Sequence, residues 1–366
     1  MKTPARFCPR LECIFALCLL ALMFAAPSPA QETREKIDVD DVSRSYILHL
    51  PKGYDQQQHY PLVILLHGQN QDADDMARLT LFNQTADKDG IIAVYPNAAS
   101  GKWNIGVRPE EQAQASPRRG YGRHGGGGGG WPGGGGGYPG GGGGYPNGGQ
   151  GGGQNPEPTA RNRPEPPDDI AFLNQMLDQI ALKYSVDPHR IYASGLGDGG
   201  FMALRAGCSM ADRIAAVAPV GADLPKTMIC LPSRAVPAVF IDGTEDPIVP
   251  YNGGDYKAGR FHVLSAEDSA KTWASFDHCG EKPAQSKIPP AKKGDKEIKT
   301  YTYNGCQNNA AVVLYSVKDG GNTWPGGQQY TTEKEVGKTS TALNADETIW
   351  SFLSGKKTPG DSGAAK

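Results

Sequence analysis

Residues 195–200 read GLGDGG, after an apolar run and before a helix-like one. A strand-to-helix turn of pattern G-x-S-x-G presents its central side chain as a nucleophile for acyl transfer. Here the outer glycines are present and the central residue is Gly197. Such a nucleophile needs a histidine to take its proton and an acid to orient that histidine. Asp246, in FIDGTEDPIVPYNGG, stands where the acid is expected, after a later strand-like run. The histidine is expected in KDGGNTWPGG, and that segment holds Asn322. The seven histidines are at 49, 59, 67, 124, 189, 262 and 278, none of them in that segment. Glycine carries no nucleophile, and asparagine donates or accepts hydrogen bonds without acting as a base near neutral pH.

The elements that must position these residues alternate along the chain. Apolar runs at 45–50, 61–68, 91–96, 190–195, 214–220, 238–243 and 311–317 read as strands. Helices are expected after Asp74, over 198–208 and over 341–353. Another is expected where Ile170, Leu173, Leu177 and Ile180 recur at helical spacing, with Asp168 and Asp169 at its start. Nearly continuous apolar strands separated by helices predict a mostly parallel sheet covered on both faces. Ligands of such folds sit beyond the carboxyl ends of the strands. The fold class is therefore α/β, and the turn at Gly197 resembles that of the α/β-hydrolases.

Several quoted segments together resemble the secreted polyhydroxybutyrate depolymerases and the feruloyl and acetylxylan esterases of the carbohydrate esterase family 1 type. They are PLVILLHG, WN at 103–104, DDIAFL, RIYASGLGDGG, AAVAPVGA, DGTEDPIVPYNGG and GGNTWPGG. In order, and leaving out one insertion, they cover roughly 45–353. The resemblance implies cleavage of esters in polyesters or cell-wall polysaccharides. It also implies serine at 197, histidine at 322 and the acid at Asp246. The first two are replaced, so the resemblance predicts a binder of polyester, polysaccharide or small ester ligands. An esterase acting through another group, or a surface protein acting through its insertion, are the alternatives.

An oxyanion hole built from backbone N–H groups survives side-chain replacement, and Gln69 and Asp198 are its expected donors. Asp198 reads as an acid favoured at a helix start, or as a substitute nucleophile. His67 reads as part of the oxyanion loop, as a ligand contact, or as an improvised base. Trp103 and Trp324 read either as a stacking wall for a ligand or as packing residues. Asp72, Asp74 and Asp75 read as acids of a helix start, and no metal or cofactor is expected.

Residues 1–30 combine Lys2, Arg6 and Arg10 with an apolar run ending near Ala30, the pattern of a cleaved export signal. Without them 34 basic residues face 38 acidic ones, which argues against a nucleic-acid partner. No membrane span is expected. Four cysteines remain, and three pairings are open; Cys208–Cys230 and Cys279–Cys306 join neighbours along the chain and are expected in an exported protein. Residues 120–153 hold 23 of the 49 glycines, with an aromatic-proline pair repeating at Trp131, Tyr138 and Tyr145. Such a stretch buries too little surface to offset its ordering entropy. The expected organisation is a signal at 1–30, one domain over 31–107 and 168–355, a flexible insertion at 108–167, and a disordered tail at 356–366.

Overall fold

A computed structural model describes residues 31–107, 166–256, 261–290, 292 and 294–359. The signal segment and nearly all of the glycine-rich insertion lie outside the described residues. The strands are β1 (Gln31–Val39), β2 (Val42–Leu50), β3 (Tyr60–Leu66), β4 (Ile92–Pro96), β5 (Val186–Leu196), β6 (Ile214–Val220) and β7 (Ala238–Gly243). They are followed by β8 (Gly254–Asp255), β9 (His262–Val263), β10 (Ala284–Ile288), β11 (Ile298–Tyr303) and β12 (Val312–Val317). The helices are α1 (Ala73–Thr80), α2 (Phe82–Asp89), α3 (Asp169–Lys183), α4 (Asp198–Ser209), α5 (Ala266–Phe276), α6 (Glu333–Val336) and α7 (Ala345–Leu353).

Ten strands form one sheet in the order β1-β2-β4-β3-β5-β6-β7-β12-β11-β10. The stretch from β4 to β12 is parallel, as the apolar strands predict, and the outer pairs are antiparallel. β3, β6 and β7 are buried along their whole length, because helices cover both faces. The chain reverses direction across the sheet between β3 and β5, which opens a crevice at their carboxyl ends. β1 and β10 were not legible as strands, since they are exposed and lack an apolar run.

Capping follows the acids. Asp72 caps α1 in a reciprocal capping box with Asp75, while Asp74 pairs with Arg34. Asp168 caps α3 by accepting from Ile170 and Ala171 N–H. Asp169 does something else: it is buried, holds the Arg44 guanidinium at 2.5 Å and accepts from Asn104 N–H at 2.6 Å. Burial pushes its carboxyl above the usual range, and Arg44 partly offsets that.

Two boundaries differ from expectation. The tail does not leave the fold at 356. Tyr192 OH donates to Lys356 O at 2.7 Å, Thr358 N–H donates to His189 O at 3.0 Å, and Thr358 is buried. At the far edge of the insertion, Pro167 O accepts from Asn104 Nδ2 at 3.1 Å, so the domain resumes before 168. No helix among the described residues is long and apolar enough to cross a membrane.

Both expected disulfides, Cys208–Cys230 and Cys279–Cys306, are formed. The first ties the end of α4 to the loop between β6 and β7 across 22 residues of sequence. Replacing both its cysteines by serine should lower unfolding free energy by roughly 3 kcal/mol, read from the urea midpoint. An unchanged midpoint would show that the bridge adds nothing to the fold.

Candidate functional site

The turn expected from GLGDGG is present where β5 ends and α4 begins. Gly197 has φ +53° and ψ −114°, and is the residue before the first helical turn. Its N–H donates to Val220 O at 2.9 Å and its carbonyl accepts from Phe201 N–H at 3.0 Å. A Cβ added to Gly199 would lie 2.0 Å from Leu66 O, so only glycine lets α4 start this close to β3. A Cβ on Gly197 itself would point at Asn322, 3.1 Å from Oδ1. The left-handed backbone there costs a non-glycine residue about 1–3 kcal/mol.

Asn322 follows β12 and is fixed at every polar backbone atom. Its N–H donates to Val336 O at 2.6 Å, and its carbonyl accepts from Tyr330 OH at 3.1 Å. Its side-chain Nδ2 donates to Asp246 Oδ2 at 2.7 Å and to Gly221 O at 2.9 Å. Asp246 sits in the turn after β7, where Oδ1 accepts from Ile248 and Val249 N–H at 2.7 and 2.8 Å. The structure therefore brings together positions 197, 322 and 246 in the order that a nucleophile, a base and an acid require.

Two further acids lie behind them. Asp242, at the end of β7, and Asp223, after β6, are buried. Burial pushes both carboxyls well above their usual range. The neighbouring Asp246 charge raises both further, and Asp242 also raises Asp223. Asp242 accepts from Ala222 N–H at 3.2 Å. Asp242 is visible in FIDGTED, but nothing in the sequence separates a buried neutral acid from a charged one.

Gln69 follows β3 and Asp198 opens α4. Tyr256 joins them: its hydroxyl donates to Asp198 Oδ1 at 2.6 Å and lies 3.2 Å from Gln69 Oε1. The Asp198 carboxylate is buried against this phenol. Tyr256, which stacks on Phe261, escaped the sequence reading because it sits in a loop without a motif.

Three expected ligand contacts are overturned. His67 is buried and has both ring nitrogens engaged: Nδ1 donates to Gly68 O at 2.8 Å and Nε2 accepts from Ala98 N–H at 3.0 Å. Burial lowers its pKa, and a neutral ring with no open nitrogen cannot serve as a base or contact a ligand. Trp103 is buried and donates from Nε1 to His67 O at 2.9 Å, which holds the loop after β4 onto β3. Trp324 is fully buried and donates to Asp346 Oδ1 at 2.7 Å. Both tryptophans are packing residues. A polar cleft of about 600 Å³ is lined by Gln69, Asn70, Ile248, Gln328, Glu335 and by Tyr330 and Val336, the two residues that hold the Asn322 backbone.

The sheet, the crevice and the turn after β5 define an α/β-hydrolase fold. Residues 44–129 match the family model described as Esterase PHB depolymerase. The chain is 26% identical over 337 residues to "Putative esterase NocK" of Nocardia uniformis subsp. tsuyamanensis, covering 89% of this chain and 83% of that protein. It is 35% identical over 161 residues to feruloyl esterase B of Piromyces equi, covering 42% of this chain and 28% of that one. Acetyl xylan esterase from Aspergillus awamori superimposes with a TM-score of 0.49 at 9% identity, over 88% of this chain and 99% of that one. The chain is thus similar, over residues 44–129, to that family model, and the proteins it resembles are named as feruloyl, acetylxylan and other esterases.

Gly199→Ala should cost at least the upper part of the roughly 1–3 kcal/mol range for overpacking, measured by urea unfolding. Unaltered stability would mean that α4 does not press on Leu66. Asp346 gives a second test. Burial pushes its carboxyl to about 7, so between about pH 4 and 7 the folded chain holds a proton that the unfolded chain releases. Its contribution is fully present below pH 4 and is lost as pH rises through 7. Asp346→Asn, which keeps an acceptor for Trp324, should therefore gain stability relative to the natural chain between pH 5 and pH 8. A constant difference across that range would refute the assignment.

Proposed function

We propose that this chain is an exported esterase-fold protein that binds polysaccharide, polyester or ester-bearing ligands without hydrolysing them by serine chemistry. The observation that carries the reading is the relay itself. A side chain at 197 would meet Asn322 Oδ1 at 3.1 Å, and Asn322 Nδ2 lies 2.7 Å from Asp246, yet neither a nucleophile nor a base stands in it. Loss of such a unit costs on the order of a million-fold in turnover, with about a thousand-fold residual effect over water from the remaining site. The backbone N–H groups of Gln69 and Asp198 are the donors that would still hold an ester or carboxylate oxygen. The polar cleft lined by Ile248, Tyr330 and Val336, partners of Asp246 and Asn322, favours polysaccharide over polyester, because amide and charged side chains match hydroxyl groups better than methylenes.

Export rests on the leader-like residues 1–30 and on the two disulfides. Hydrolysis through His67 or Asp198 has little support, since the His67 ring nitrogens are both engaged and the Asp198 carboxylate is held by Tyr256. A role for the glycine-aromatic insertion falls outside the described residues.

Hydrolysis of p-nitrophenyl acetate and butyrate tests the reading. The natural protein should show no turnover above background, and Gly197→Ser/Asn322→His should hydrolyse both esters. Turnover by the natural protein that follows it through purification would overturn the proposal.

A further inference from the structure

The amide of Asn322 is turned one way only. Its Nδ2 hydrogens are both taken, one by Asp246 Oδ2 at 2.7 Å and one by Gly221 O at 2.9 Å. Turning the amide over would set Oδ1 against a carboxylate and a carbonyl, two acceptors with no proton between them. The outward end of the amide is therefore an oxygen. It faces the position above Gly197, where a Cβ would lie 3.1 Å from it and meet no other residue within 4 Å apart from the glycine's chain neighbours. No described side chain donates to Oδ1. The neighbouring Asp246 carboxylate polarises the amide and strengthens that oxygen as an acceptor.

We infer that Asn322 Oδ1 and the position above Gly197 form a subsite for a free hydroxyl of the ligand, occupying the place where a G-x-S-x-G turn would carry its own serine hydroxyl. The inference rests on the non-catalytic reading and names the chemical group that this site selects. A hydroxyl donates its proton to Oδ1. An ester offers only acceptor oxygens, which Oδ1 repels. The preferred ligand is thus a glycan with bare hydroxyls at this point, the product side of de-esterification rather than its substrate. The polar cleft lined by Tyr330 and Val336, both bonded to the Asn322 backbone, would take the rest of such a glycan. Asn70 and Gln328 present carboxamides there, each with donors and an acceptor, and Arg78 and Glu335 border it.

Titration calorimetry of the full chain with xylohexaose, and with the same oligomer chemically acetylated, tests the inference. The bare oligomer should bind, and the acetylated one at least about tenfold more weakly, the worth of one hydrogen bond and its mismatch. Gly197→Ser should weaken xylohexaose binding to a similar degree, because its own hydroxyl occupies the subsite. No binding of the bare oligomer, equal binding of the acetylated one, or unaltered binding by a folded Gly197→Ser variant would each overturn the inference. The unsubstituted protein gives an independent check if the serine variant does not fold. Xylohexaose should shift the Asn322 side-chain amide resonances in asparagine-labelled protein, and their constancy under saturating ligand overturns the subsite. The ester assay reads the other claim separately. Turnover by the natural chain defeats the non-catalytic reading, whereas a silent enzyme with an unused subsite defeats only this inference.

Discussion

The carbonyl oxygen of Leu66 stands 2.0 Å from where a Cβ on Gly199 would be, so β3 and the first turn of α4 touch through bare backbone. That approach sets where α4 begins, and the strand before it must reach the helix through one residue at positive φ. Gly197 is that residue, and its Cα–Cβ direction is then dictated by the backbone alone. The direction leads to Asn322. The geometry of the site thus follows from main-chain packing between two buried elements, and it survives whatever side chain occupies the turn.

The polar side of the site is organised by acceptors. Asp246 is held by two consecutive N–H groups of its own turn, and it in turn orients the Asn322 amide. Behind it Asp223 and Asp242 are buried, and burial favours their neutral forms, which keeps charge from accumulating around Asp246. An amide in this setting can do what the carboxylate asks of it, which is to donate, and still offer an oxygen outward. Proton transfer needs a group whose protonation changes near neutral pH, and a carboxamide has none.

The same scaffold explains how a long insertion is compatible with the site. The segment leaves after the loop that follows β4 and returns just before α3. Asn104 spans the two edges by donating to Pro167 O, and Asp169 ties the start of α3 to Arg44 and Asn104. Closing a loop costs little more as it lengthens, so added residues between two anchored ends leave the sheet intact.

The parallel strands, the turn at Gly197 and the positions of Asp246 and Asn322 were legible in the sequence, because buried strands are continuously apolar and a strand-to-helix turn needs glycines at fixed spacing. Cysteine proximity along the chain indicated both disulfides. β1 and β10 were not legible, since exposed edge strands carry no apolar signal. The fates of Trp103, Trp324 and His67 were decided only by tertiary structure. An aromatic ring at a site and one in the core have the same sequence appearance. Burial and hydrogen-bond partners from distant elements, such as Ala98 for His67 and Asp346 for Trp324, separate the two. The same holds for Asn322: its residue type excludes base chemistry from the sequence alone. Which end of its amide faces the ligand depends on Asp246 and Gly221, 76 and 101 residues away along the chain, and only folding sets acceptors at that distance around one group.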